Sequence, residues 1–276
     1  MQESMFEDTA FPAGPTSLYD LRISNKLHEG TLIPKRRRRR ARIEELWSNV
    51  TWVKPAAIYG AQQYHLIQRI DAADITQGLL GDCYLLASLA ALAEQPKRVK
   101  DIFLSKSVTR SGAYAVRLYV NGEPQDVVVD DSFPYDETPE VDTYAFSRQS
   151  IDREIWVQVL EKAYAKVFGS YEAIEGGKPY QAFYTLTGFP SDCVYHKGVD
   201  QDSLWERIRE AAAKDLPMVA SVNSVVLNQA SEIKANGLAD HHAYTLLTAR
   251  TIIDPHDGSV VPGTLVEARR KCVGFL

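Results

Sequence analysis

Gln77-Gly78-Leu79-Leu80-Gly81-Asp82-Cys83-Tyr84-Leu85-Leu86-Ala87 decides how the rest of this chain is read. A glycine-bearing segment leads straight into an apolar run, Tyr84 to Ala93, with almost no polar residue in it. That is the pattern of a loop feeding a buried helix. Cys83 falls in the first turn of that helix, where the positive end of the helix dipole favours thiolate over thiol. Gln77 lies six residues upstream on the same loop, able to turn an amide donor toward whatever the sulfur attacks. A nucleophile and an oxyanion donor on one short segment point to acyl transfer. On this stretch alone a buried cysteine with a purely structural role is the alternative, since free Cys packs as a small hydrophobe.

Composition narrows the classes. With 276 residues, 45% of them hydrophobic, the chain can bury a sizeable core in one large domain or two lobes. No apolar run approaches membrane-spanning length, and Met1 to Glu7 lacks the basic and apolar regions of a secretory signal. Cys83, Cys193 and Cys272 are few, odd in number and far apart, so a disulfide framework is not expected and a reducing, cytoplasmic setting is. Lys35 to Arg42 holds 7 of the 31 basic residues, leaving 24 against 36 acidic ones elsewhere. That acidic remainder argues against a specific nucleic-acid-binding domain. The run itself is expected to be solvated or mobile, offering contact to anionic surfaces or a nuclear-import signal.

Along the chain, residues 1–48 read as a leader with little core of its own, and Arg42 to Trp47 as a short helix. Ala113 to Val120 alternates as a strand should, Asn121-Gly122 is a strong hairpin turn, and Gln125 to Asp131 is its partner. Glu154 to Phe168 carries Trp156, Leu160, Ala163, Tyr164 and Val167 at helical spacing. Ser203 to Ala213 reads as an amphipathic helix capped by Ser203. Met218 to Val222 and Ala243 to Leu247 read as strands. The expected class is α+β, with a helix-rich part over 49–200, a partial β-rich part over 201–254 and a divergent tail over 255–276.

A thiolate catalyst needs a base, usually His, and a group to orient the imidazole. Of six histidines, His28, His65 and His196 sit in ordinary contexts. His242 stands at the mouth of a strand in Gly237-Leu238-Ala239-Asp240-His241-His242-Ala243-Tyr244, and follows Cys83 by 159 residues. That order and separation suit a Cys and a His facing each other across a cleft. A metal hydrolase built on His241, His242, His256 and Asp257 is disfavoured, because neighbouring strand residues point to opposite faces. No Gly-x-Ser-x-Gly elbow is present, and Gly176-Gly177-Lys178 lacks the rest of a phosphate loop.

Together these residues resemble the protease core of the calpain family, cysteine proteases with a papain-like, two-lobed active site. The resemblance runs from about Trp52 to Leu247 through Trp52-Val53-Lys54-Pro55, Asp74 to Cys83, Val128-Val129-Asp130-Asp131, Leu160 to Ala173, Gly176-Gly177, Thr187-Gly188-Phe189 and His242-Ala243-Tyr244. It implies a cysteine endopeptidase acting on protein substrates, with Cys83 as nucleophile, His242 as general base and acid, and Gln77 in the oxyanion hole. It also implies that Gly176, Gly177 and His241 lie along the bound substrate. Calcium is implied at Asp74 and Glu154, with backbone carbonyls near Ile67 and Arg69 as co-ligands, a donor set of the hard oxygen type that this ion takes.

The chain departs from the family pattern in three places. The family's Asn-Pro-Trp-Gly motif, which completes the catalytic set, does not occur after His242. The nearest echo is Asp254-Pro255, whose Asp254 is a candidate third catalytic member able to orient the imidazole; a continuous strand from Ala243 to Ile253 would carry it about 40 Å from His242 at ~3.3 Å per residue, and only a hairpin near Thr248-Ala249-Arg250 would bring it back. On this reading the chain is C-terminally truncated, and an alternative function is a catalytically impaired binding or regulatory protein. Tyr84 replaces the Trp that usually follows the family's Cys, and His241 stands where the family usually has Gly.

Overall fold

A computed structural model of the chain describes residues 5–61, 63–196, 198–222, 238–253, 256 and 260–269. It opens with α1 (Pro15–Leu18), α2 (Leu21–His28) and α3 (Pro34–Leu46). Asp20 caps α2 by accepting from the Arg22 N–H, and Pro34 starts α3 at the one helical position where its missing donor costs nothing. There follow β1 (Val50–Val53), α4 (Pro55–Tyr59), α5 (Cys83–Ala93) and α6 (Pro96–Lys100). Every residue of α5 after Cys83 is buried, as its unbroken apolar sequence requires.

The middle of the chain supplies β2 (Ala113–Val120), β3 (Glu123–Asp130), β4 (Phe133–Asp136), β5 (Thr143–Tyr144), α7 (Trp156–Phe168) and α8 (Pro179–Thr187). β2 and β3 form an antiparallel hairpin closed by Asn121-Gly122, both with positive φ, the geometry of a type I′ turn. β1, β4 and β5 form a second antiparallel sheet. The core gathers around α5 and α7, with the Phe146 ring in contact with both Trp47 and Tyr171. The last elements are α9 (Gln201–Ala213), β6 (Met218–Val222), β7 (His242–Ile253) and β8 (Val260–Arg269), the three strands pairing antiparallel with β7 in the centre. The α+β class is therefore observed.

Three expectations are corrected. Residues 5–48 are no mobile leader: Phe11, Leu18, Ile43 and Trp47 belong to the main core. The basic run lies within α3, and Arg40 is buried in it, held 2.6 Å from Glu172 and stacked over the Tyr19 ring. Like charges repel, but here acidic partners remote in sequence neutralise two of them: the buried Arg40 meets Glu172 and the exposed Arg39 meets Glu175. Secondly, α9 begins at Gln201 under an Asp200 cap, whose carboxylate accepts from the Ser203 N–H; Ser203 is the third helical residue rather than the cap. Thirdly, part of the expected tail is sheet, since residues 260–269 pair with β7 from Thr245↔Arg269 to Ile253↔Val260.

Candidate active site

α5 starts at Cys83 with Asp82 as its N-cap, so the Cys83 N–H has no acceptor within the helix and is free to serve a bound group. The residues before it form a loop clamped by the chain around β5. Gly78 and Leu79 donate N–H bonds to the carbonyls of Phe146 and Ala145, and Arg148 donates to that of Thr76. A Cβ at Gly78 would strike the Ala145 and Phe146 carbonyl oxygens, so only glycine allows this approach.

Across from this loop comes the start of β7. The Cys83 thiol donates to the His241 carbonyl oxygen at 4.0 Å, and the Ala243 N–H also bonds at the sulfur. Burial pushes the thiol pKa up, with the Ala243 N–H acting against that rise. A second tie holds β7 on α5: the Thr245 hydroxyl donates to the Ala87 carbonyl at 2.8 Å, fully buried. The backbone on either side of His242 is thereby fixed against Cys83 and its helix. The His242 ring is buried and stands edge-on to Tyr244, 4.9 Å between centroids. His241 adopts φ +52°, a left-handed conformation that favours glycine, at the position where the resemblance expects one.

The other residues named from sequence fall in different places. Gln77 points its amide nitrogen at the Leu80 carbonyl, 2.5 Å away, within its own loop. One of its two amide protons is engaged there, and the second is available to another acceptor. Gly176 has φ +79° and donates its N–H to the Gly81 carbonyl at 2.8 Å, tying the Gly-Gly pair to the loop before Cys83. Gly177 lies against the Tyr84 ring, which occupies the space a Cβ would need. Tyr84 in turn donates to the Ile174 carbonyl, so the tyrosine holds this segment from within. Asp254 lies outside the described residues. β7 runs unbroken to Ile253, eleven residues past His242, or roughly 36 Å at ~3.3 Å per residue.

Two acidic clusters flank the site. Asp74, Asp152 and Glu154 converge, with carboxylate oxygens all within 4.8 Å of one another. Glu154 takes N–H bonds from Gln68 and Arg69 on one oxygen and has no partner on the other. Burial, with the nearby Asp74 charge behind it, raises its pKa to about 7 despite those donors. An oxygen-only set with an unsatisfied buried carboxylate atom fits a hard cation such as calcium. Asp152 is a member of this cluster that sequence patterning does not single out: it lies in the turn before Glu154, where Arg153 has φ +56°. The second cluster is Asp82 with Glu161, both fully buried, Asp82 next to Cys83 in sequence, each carboxyl raised first by burial and Asp82 then by the Glu161 charge. Glu161 accepts from the Ser147 N–H at 3.1 Å and hydroxyl at 2.9 Å, and Ser147 pairs with Gln77.

A family model described as calpain family cysteine protease matches residues 6–261. The chain is 32% identical over 212 residues to Calpain-type cysteine protease ADL1 of Oryza sativa subsp. japonica, covering 73% of this chain and 10% of that protein. It is 31% identical over 247 residues to Calpain-12 of Mus musculus, with 88% and 30% covered. To the Calpain-1 catalytic subunit of Rattus norvegicus it is 32% identical over 206 residues, with 74% and 28% covered. The matches thus span about a third or less of these relatives' own length. With the family model covering most of its residues, the chain belongs to the calpain family of cysteine proteases.

Proposed function

We propose that this chain is the core of a cysteine endopeptidase that cleaves protein substrates through a thioester at Cys83. The observation that carries the reading is the seating of β7 on α5, which lays His241–Ala243 on the Cys83 sulfur. In this reading residues 49–200 and 201–254 form two papain-like lobes, with the cleft between them. His242 takes the thiol proton, and the thiolate attacks the scissile carbonyl carbon. The oxyanion that forms meets the Cys83 N–H and the free amide proton of Gln77. Collapse of the tetrahedral intermediate expels the amine, protonated by His242, and leaves the thioester. Water, deprotonated by His242, then attacks the thioester and frees Cys83. Gly176, Gly177 and His241 flank the substrate backbone.

Asp74, Asp152 and Glu154 would hold calcium, whose charge would keep all three carboxylates ionised and draw residues 67–74 onto the start of α7. A second reading, an impaired binding or regulatory protein, is favoured by one observation: Gln77 spends an amide proton on the Leu80 carbonyl. Casein cleavage with and without calcium, beside a Cys83→Ala control, separates the two. Selective trapping of Cys83 by a peptidyl epoxide supports the protease; labelling no faster than that of Cys193 rejects it.

A further inference from the structure

α2, α3 and the segment Glu172–Gly176 enclose a pocket of about 420 Å³. It is lined by four cations, Arg22, Lys26, Arg36 and Arg39, and three acids, Asp20, Glu172 and Glu175. Each acid is already matched. Arg22 chelates Asp20, Arg39 holds both the side chain and the carbonyl of Glu175, and Arg40 reaches Glu172 from behind. Lys26 and Arg36 are exposed and have no ion-pair partner among the described residues. Two uncommitted cations therefore face a concave space of small-ligand size.

The pocket also joins the nucleophile loop. Gly176 forms its edge, and the same residue donates to Gly81, two positions before Cys83. The ion pairs of Arg39 and Arg40 hold this edge in place from α3. Within the basic run Arg39 and Arg40 thus act as struts, and Arg36 faces the pocket.

We propose that this pocket recognises acidic side chains of the polypeptide substrate, Lys26 and Arg36 pairing with carboxylates of a segment that continues from the cleft past Gly176. The proposal rests on the reading above that Gly176 and Gly177 flank the substrate. A polyphosphate is a poorer match. It brings three or more negative charges into a lining that keeps three carboxylates of its own, whereas one or two side-chain carboxylates match the two spare cations.

The test uses the full chain carrying Cys83→Ala and fluorescein-labelled peptides of equal length. One has four glutamates beside an apolar segment, on its N-terminal or C-terminal side; the other has four glutamines. By anisotropy in low salt, a Glu peptide binds about tenfold more tightly, roughly 1.4 kcal/mol, and the margin shrinks as salt screens the charges. Lys26→Gln with Arg36→Gln removes the margin, and Lys26→Glu with Arg36→Glu reverses it. Equal binding of the peptides, or a margin that survives both double variants, overturns the proposal. So does tripolyphosphate binding more tightly than the Glu peptide and lost in the same variants. No turnover is needed for this measurement. A chain that selects the Glu peptide but cleaves nothing when Cys83 is intact therefore overturns the protease reading alone.

Discussion

Asp82, the residue before Cys83, and Glu161 press their carboxyl groups together, both out of solvent. Two adjacent buried carboxyls cannot both ionise, so they share a proton, with Asp82 protonated and Glu161 accepting from Ser147. Glu161, normally ionised near pH 4.5, is raised to about 7. A raised carboxyl binds its proton more tightly folded than unfolded, so its contribution to stability is full below about pH 4.5 and is lost as pH climbs through 7. Glu161→Gln is expected to flatten the fall in urea-unfolding free energy over that window, by on the order of 1 kcal/mol per pH unit. An unchanged slope would mean that the pair does not share a proton.

Gly177→Ala tests the contact behind the cleft. Its new methyl would meet the Tyr84 ring, which is itself fixed by the Ile174 carbonyl and by edge contact with Tyr164. Overpacking of this kind costs about 1–3 kcal/mol. Denaturant unfolding of the variant should show that loss, and Gly177→Ala with Tyr84→Leu should recover part of it. No loss in the single variant would show that the ring can step aside.

Within one basic run the charges differ in kind. Arg40 and Glu172 are 7% and 2% exposed, and each has further partners in Ser24, Glu44 and the Asp20 N–H. Removing one side of such a pair leaves a buried charge uncompensated, at about 3–5 kcal/mol. Arg38 is exposed, and its replacement should stay within about 0.5 kcal/mol. Thermal unfolding of Arg40→Gln and Arg38→Gln compares the two directly; equal effects would remove α3 from the folded core.

That contrast also shows what the sequence could carry. The buried helix after Cys83, the Asn121-Gly122 hairpin and strand β6 were legible because each is written in local apolar pattern or turn chemistry. The pairing of Arg39 and Arg40 was not, since their partners lie 136 and 132 residues away. The same distance effect hid Asp82–Glu161, where an acid inside an apolar stretch was the single local sign. Cys83 and the start of β7 came together as their order implied, while the orientation of Gln77 toward Leu80 depends on a three-residue loop contact that no spacing rule predicts.

Calcium binding should follow the protonation of Glu154. The ion needs the carboxylate, and that group holds its proton up to about pH 7. The calcium-induced rise in melting temperature should therefore be larger at pH 8 than at pH 6, and Glu154→Gln should abolish it. Asp152→Asn should weaken it, since Asp152 completes the cluster. A rise that is the same at both pH values would remove Glu154 from the ligand set.

His241 combines strain with position. Its φ of +52° suits glycine, and its carbonyl is the group that receives the Cys83 thiol. A β-carbon in this region costs about 1–2 kcal/mol per residue, less for His, which enters it more readily than branched residues do. The Asp240 carboxylate offsets part of that cost by accepting from the His241 N–H at 2.8 Å. His241→Gly removes the strain and takes away a side chain next to the Cys83 sulfur, while adding backbone freedom to the unfolded chain. The two stability effects nearly cancel, so the melting temperature should move little. Access to the sulfur should not: alkylation of Cys83 by a bulky maleimide should accelerate about tenfold, roughly 1.4 kcal/mol, while alkylation by small iodoacetamide stays near the parent rate. If both reagents accelerate equally, the imidazole was affecting the reactivity of the thiol rather than the path to it.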